Sequence, residues 1–167
     1  MIRVYHRRKQ KDLMMDPEKI NAFKDDFALL IEAGFLAVKQ LDETSSTRIF
    51  HAAQALSPHN TAPQIGLGYI ALNKLELKEA TRIFEGIIAA EPDNYLAQTF
   101  LGMCFLLNKT KRKKGEKLIN EAIEKTTDPT IKNLGAISLE WAEKDLSKVS
   151  KAPFFTKQNQ EKNESEE

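Results

Sequence analysis

Residues 61–94 read TAPQIGLGYIALNKLELKEATRIFEGIIAAEPDN, and their reading decides the fold. Apolar residues recur at three- and four-residue steps in two runs, the signature of amphipathic helices, and strand-like alternation is absent. Turn residues separate the two runs at 73–77 and close the stretch at 91–94. The landmarks in it repeat along the chain at a spacing of 34: Gly34, Gly68 and Gly102; Phe50 and Phe84; Pro58 and Pro92; Asn60 and Asn94. A unit of two helices cannot bury its apolar face alone, so such a period predicts stacked helix-turn-helix units. The units read 27–60, 61–94 and 95–128.

This period and the residues that mark it resemble the tetratricopeptide repeat, in which Leu-Gly, an aromatic, Ala, Phe and Pro stand at fixed offsets. The middle unit matches best, with Leu67, Gly68, Ala80, Phe84 and Pro92. The first keeps Gly34, Phe50, Ala53 and Pro58 and has Ser46 at the usual small Ala. The third keeps Leu101, Gly102 and Phe105, and its second half fits with one residue inserted in the turn: Gly115 then takes the small position, Ile119 the Phe position and Ala122 the next Ala. Small residues at these points let paired helix backbones approach, so the glycines are read as packing residues, not ligands. A helical Gly costs about 1 kcal/mol relative to Ala, which a contact that Ala would crowd explains. The expected fold is an all-α tetratricopeptide-repeat superhelix of about three units with an N-terminal helical extension and a C-terminal capping helix.

Turns are expected at 42–46, 57–61, 73–77, 91–94 and 108–111. Upstream, residues 1–15 are basic and without a sustained period, and are read as a flexible N-terminus. Asp16 as N-cap and Pro17 at the first helical position start a helix carrying Ile20, Phe23, Phe27, Leu30, Ile31 and Phe35. Whether translation begins at Met1, Met14 or Met15 stays open. Downstream, Asp128 and Pro129 open a capping helix, 129–147, with Ile131, Leu134, Ile137, Trp141 and Leu146, in which Leu134 and Gly135 echo Leu67 and Gly68. The repeat domain is thus 16–149. Residues 150–167 read as a polar, disordered tail, apolar-free from Gln158 onward.

The 167 residues, 41% of them hydrophobic, suffice for one domain with a core. A net charge of +1 supplies no global field for nucleic acid or membrane. The lone Cys104, flanked by Met103 and Phe105, rules out an internal disulfide and reads as a buried thiol in a reducing compartment. No run is long enough to span a membrane, and the basic N-terminus has no apolar stretch behind it, so a cytoplasmic location without membrane insertion is expected. His6, His51 and His59 share no metal-ligand spacing, no phosphate loop or nucleophile elbow occurs, and Asp25 and Asp26 point about 100° apart on a helix. No catalytic residue, metal or cofactor is expected. Lys109, Lys111, Arg112, Lys113, Lys114 and Lys117 cluster at a helix-helix turn without interleaved aromatics. We read them as a solvated turn suited to an acidic partner surface, not to nucleic acid.

In the tetratricopeptide family the groove faces the second, fifth, ninth, twelfth and thirteenth residues of each unit. That resemblance assigns Ala28, Ile31, Phe35, Val38 and Lys39 from the first unit, Ala62, Ile65, Tyr69, Leu72 and Asn73 from the second, and Leu96, Thr99, Met103, Leu106 and Leu107 from the third. Repeats that capture acidic chaperone tails need Lys, Arg and Asn there to clamp carboxylates, and Lys39 and Asn73 alone are too few. An apolar lining suits an amphipathic helix or an extended apolar segment. The candidate partner-binding residues are Ile31, Phe35, Val38, Ile65, Tyr69, Leu72, Thr99, Met103, Leu106 and Leu107.

The size, repeat number, apolar lining and C-terminal stretch resemble the tetratricopeptide chaperones of bacterial type III secretion systems. Residues 118–134, with Asp128, Pro129 and Ile131, look most like the group that binds the needle subunit; the translocator-binding group and a general protein-protein adaptor are the alternatives. The basic N-terminal extension and the acidic tail depart from the short needle chaperones. The resemblance implies a non-catalytic virulence-associated chaperone that masks an apolar or amphipathic client helix against premature assembly, with a second co-chaperone covering the rest of the client and a homodimer forming in the client's absence. On this reading Tyr69→Glu or Leu106→Glu is expected to abolish client binding without unfolding.

Overall fold

The computed structural model describes residues 26–146; the N-terminal basic stretch, the Asp16 and Pro17 helix start and the C-terminal tail lie outside the described residues. Among the described residues seven α-helices follow one another: α1 Phe27–Lys39, α2 Glu43–Leu56, α3 Ala62–Asn73, α4 Leu77–Ala90, α5 Tyr95–Leu106, α6 Arg112–Lys125 and α7 Pro129–Trp141, the last running into a π-helical turn, Ala142–Leu146. No strand occurs among the described residues. The all-α helix-turn-helix architecture expected from the 34-residue period is present. The chain divides into two compact units, Met1–Ile70 and Ala71–Glu167, with the boundary inside α3.

Local chemistry sets the helix ends. Asp42, Asn94 and Asp128 cap α2, α5 and α7 by accepting hydrogen bonds from the backbone N–H of Ser45 (2.9 Å), Ala97 (3.0 Å) and Thr130 (2.7 Å). Ser45 also holds the Asp42 carboxyl below its ordinary pKa, through hydrogen bonds to both its side chain and its backbone. Asn60, one period before Asn94, accepts from Ala62 N–H at 2.9 Å. Pro129 occupies the first turn of α7, where no N–H is required. The turns after α1 and α3 are tighter than expected, with Glu43 to Ser46 already helical.

Those two turns share one construction. Leu41 N–H donates to Val38 C=O (3.0 Å) and Asp42 N–H to Ala37 C=O (3.0 Å); one period later Leu75 donates to Leu72 and Glu76 to Ala71 (both 2.9 Å). This paired bonding closes a helix through a left-handed residue, and Leu41 (φ 60°) and Leu75 (φ 59°) supply it in place of glycine.

In the first unit, α1 packs on α2, and Phe50 of α2 is fully buried. A Cβ on Gly34 of α1 would lie 2.6 Å from the Phe50 ring, and one on Gly66 of α3 only 2.3 Å from it. The ring therefore fills space that two glycines leave. In the second unit Ile119 of α6 does the same work: a Cβ on Gly102 of α5 would meet it at 2.5 Å, and one on Gly135 of α7 at 3.0 Å. Phe50 and Ile119 thus hold equivalent positions, as the one-residue insertion in the third turn requires.

The same geometry corrects one expectation. Gly135 corresponds to Gly66, not to Gly68, because the insertion shifts the phase downstream of residue 110. Ile137 consequently points outward and is 55% exposed, while Leu139 packs inward against the cluster of Leu106, Ile119 and Ala142. Between α5 and α6 the backbones nearly touch, a Cβ on Gly115 falling 2.6 Å from the Gly102 carbonyl oxygen. Elsewhere in this unit Phe84 and Phe100 stack at 5.4 Å, and the buried Gln98 donates to Leu118 C=O at 3.1 Å. The small position of the first unit is filled by Ser46, fully buried, its hydroxyl donating to Glu43 C=O at 3.0 Å.

Candidate functional site

The ten candidate residues fall five to each unit, and each half is described by itself. In the first, α1 contributes Ile31, Phe35 and Val38, and α3 contributes Ile65 and Tyr69. Val38 joins Phe50 and Ile70 in a buried cluster against which Ile31, Phe35, Leu67 and Tyr69 pack. Phe35 meets Phe50 edge to face, centroids 5.1 Å apart, and lies 6.3 Å from the Tyr69 ring. Val38 and Ile65 are core residues; Ile31, Phe35 and Tyr69 keep part of their surface in solvent. These three share a supporting cluster that spans α1, α2 and α3. Ala28 and Lys39, further along α1, are exposed.

The second half is less accessible than its sequence suggests. Leu72 is buried, Thr99 and Leu106 are fully buried, and Met103, Leu96 and Leu107 are half-buried. The Thr99 hydroxyl is consumed within its own helix, donating to Tyr95 C=O at 2.8 Å. Leu106 packs with Ile119 and Ala142, and Met103 and Leu139 lie against that cluster. The reason is that α5 has neighbours on two sides, α6 and α7, which take up faces that a helix considered alone would offer to a ligand. Leu106→Glu, expected above to report on binding, would instead place a carboxylate in the core and unfold the unit.

Sequence reasoning passed over an apolar stripe on α1. Leu29 (63% exposed) and Leu36 (55%) are seven residues apart and so share a helix face. Their spacing was the available signal, but the helix was read for its inward face.

An open depression of about 530 Å³ lies where the α4–α5 loop approaches α7, lined by Glu91, Pro92, Asp93, Asn94, Tyr95, Leu96 and Ile131. Its polar groups engage one another: Asn94 Nδ2 donates to Glu91 Oε2 at 2.8 Å. Cys104 is buried, and burial pushes its thiol up to about 11, the Thr81 hydrogen bond opposing only partly. It is therefore a thiol, not a thiolate, at neutral pH. His51 and His59 are exposed, and no three metal-ligating side chains converge among the described residues.

The basic turn is exposed at Lys109, Lys111, Lys113 and Lys114. The ammonium groups of Lys111 and Lys114 stand 5.1 Å and 4.8 Å from the centroid of the buried Phe105 ring. That aromatic is covered by cations and closed to a stacking base. No described helix is long and apolar enough to cross a membrane. No family model, curated protein or solved structure matches the chain.

Proposed function

We propose that the chain is a non-catalytic chaperone that holds an apolar or amphipathic helix of a secretion client, the needle subunit of a type III system being the favoured client. The observation that carries this reading is the group Ile31, Phe35 and Tyr69, half-exposed on α1 and α3 and backed by the buried Val38, Phe50 and Ile70. Side chains fixed from behind lose little freedom on docking, so apolar contact made there converts efficiently into affinity. Two aromatic rings and a branched aliphatic match the anchors that an amphipathic helix presents at every third or fourth residue. Burial of that face at about 25 cal/mol per Å² competes with self-assembly of the client while leaving release feasible. The needle assignment rests on the resemblance of residues 118–134.

Coexpression with a needle subunit tests it. Tyr69→Glu places a charge on a half-exposed position and is expected to abolish copurification with the circular dichroism spectrum near that of the parent; Phe35→Glu should abolish it too, and lower the thermal midpoint by losing the edge-to-face contact with Phe50. Copurification that survives both substitutions would overturn the assignment of this surface. Binding to folded partners in preference to the isolated helix would favour a general adaptor.

A further inference from the structure

The α5–α6 turn gathers cations that the fold does not neutralise. Lys109, Lys111, Lys113 and Lys114 are exposed, and among the described residues none of the four pairs with a carboxylate. Arg112, between them, is half-buried and already engaged within the protein. Lys117, a turn further on, reaches Glu121 at 3.8 Å. The four lysines crowd the positive end of the α6 dipole, where ammonium groups are disfavoured, and the first turn of the helix holds no acidic residue to offset them. Stability gives no reason for this arrangement, and a local rule broken without compensation is expected where a surface serves a partner.

Two of the four are also held in position. Lys111 and Lys114 stand 5.1 Å and 4.8 Å from the centroid of Phe105, a ring only 1% exposed. Attraction to the ring face keeps both against α5 despite their mutual repulsion, so less side-chain freedom is lost when an anion meets them.

The charge pattern around the turn selects the class of anion. From Glu116 to Glu124 α6 carries three glutamates against Lys117, so the positive surface ends within about a turn of helix. A nucleic-acid duplex or an anionic membrane extends past that point and meets repulsion, and both draw affinity from many phosphate contacts over a long surface. Phe105 is covered and offers no face to a base. Residues 108–114 hold no hydrophobic side chain to enter a membrane interface. A short segment with about one carboxylate for each lysine fits the space and the sign.

We propose that the turn docks a short acidic segment of a partner protein, its carboxylates facing Lys109, Lys111, Lys113 and Lys114. The turn lies in the second compact unit and shares no residue with the Ile31, Phe35 and Tyr69 surface.

The test titrates a fluorescent peptide of alternating glutamate and serine into the full chain at low ionic strength, reading anisotropy and the backbone amide shifts of the protein. Binding is expected, with the shifts concentrated at residues 108–115, and it should vanish at about 0.5 M salt, where the screening length falls to roughly 4 Å. Lys109→Glu with Lys113→Glu should weaken it at least about tenfold. Glutamate near a helix start favours the helix, so unfolding does not account for that loss. The same change of net charge made by Lys125→Glu with Lys132→Glu, exposed lysines of the same unit, should leave binding within about twofold. No binding at low salt, equal weakening by the two pairs, or equally tight binding of a glutamine-serine peptide would overturn the proposal. So would tighter binding of double-stranded RNA or of phosphatidylserine vesicles through the same lysines. Self-association of the protein alone, abolished by Lys109→Glu with Lys113→Glu, would overturn it in favour of a second copy of the chain.

Discussion

Phe50 and Ile119 differ in shape and sit in the same architectural slot, each wedged between a glycine of the helix before it and a glycine of the helix after it. The close approach is therefore a property of the glycines, and the filler is chosen to suit. Gly115 is the most constrained of them, since an added Cβ would meet backbone: the Gly102 carbonyl oxygen at 2.6 Å and the Leu106 nitrogen at 2.8 Å. Backbone cannot rotate aside as a side chain can, so Gly115→Ala is expected to cost about 2–3 kcal/mol through overpacking. Gly86, exposed in the middle of α4 with nothing within 4 Å of its added Cβ, provides the opposite sign. Gly86→Ala should gain about 1 kcal/mol from helix propensity. Urea unfolding of both variants decides the pair; a Gly115→Ala protein as stable as the parent would refute the backbone contact.

At the scale of the element, the turns carry a cost that the helices do not. Leu41 and Leu75 adopt the left-handed conformation, in which a Cβ crowds the following carbonyl; Leu41 is 91% exposed and Leu75 44%. Leu41→Gly and Leu75→Gly are each expected to raise stability by about 1 kcal/mol, as measured by thermal midpoint. A drop would mean that the leucines make contacts that outweigh the strain. The same turns show which local features were readable. Of the capping residues only Asp128, followed by Pro129, is legible as a helix start; Asp42, Asn60 and Asn94 read as turn residues, and their caps are hydrogen bonds from N–H groups two or three positions on. The turn at 73–77 is legible as a turn, but leucine carries no signal for the left-handed conformation found at Leu41 and Leu75, which two hydrogen bonds back into the preceding helix impose.

For the molecule as a whole, the proposed masking of a client makes stability depend on client concentration. A helix peptide of the needle subunit at 100 times its dissociation constant should raise unfolding stability by about 2.7 kcal/mol, and Tyr69→Glu should remove the increment. An unaltered thermal midpoint at saturating peptide would count against client binding by the folded chain. About half of the apolar stripe read from the sequence belongs to the core. Ile31, Phe35 and Tyr69 retain accessible surface, whereas Val38, Ile65, Leu72, Thr99 and Leu106 do not.

The sequence by itself determined the repeat, its phase and its single insertion, because packing two helices closely demands small residues at a fixed spacing and the spacing survives in one dimension. It also determined the start of α7 at Asp128 and Pro129, which is local hydrogen-bond chemistry. Only the tertiary structure decided which apolar residues face a partner and which face a neighbouring helix. Hydrophobicity is identical in the two cases; the difference lies in whether another helix, such as α7 against Leu106, already covers the surface. The tertiary structure likewise decided that Lys111 and Lys114 stand over the buried Phe105, a placement set by the packing of α5 on α6 and invisible to charge counting.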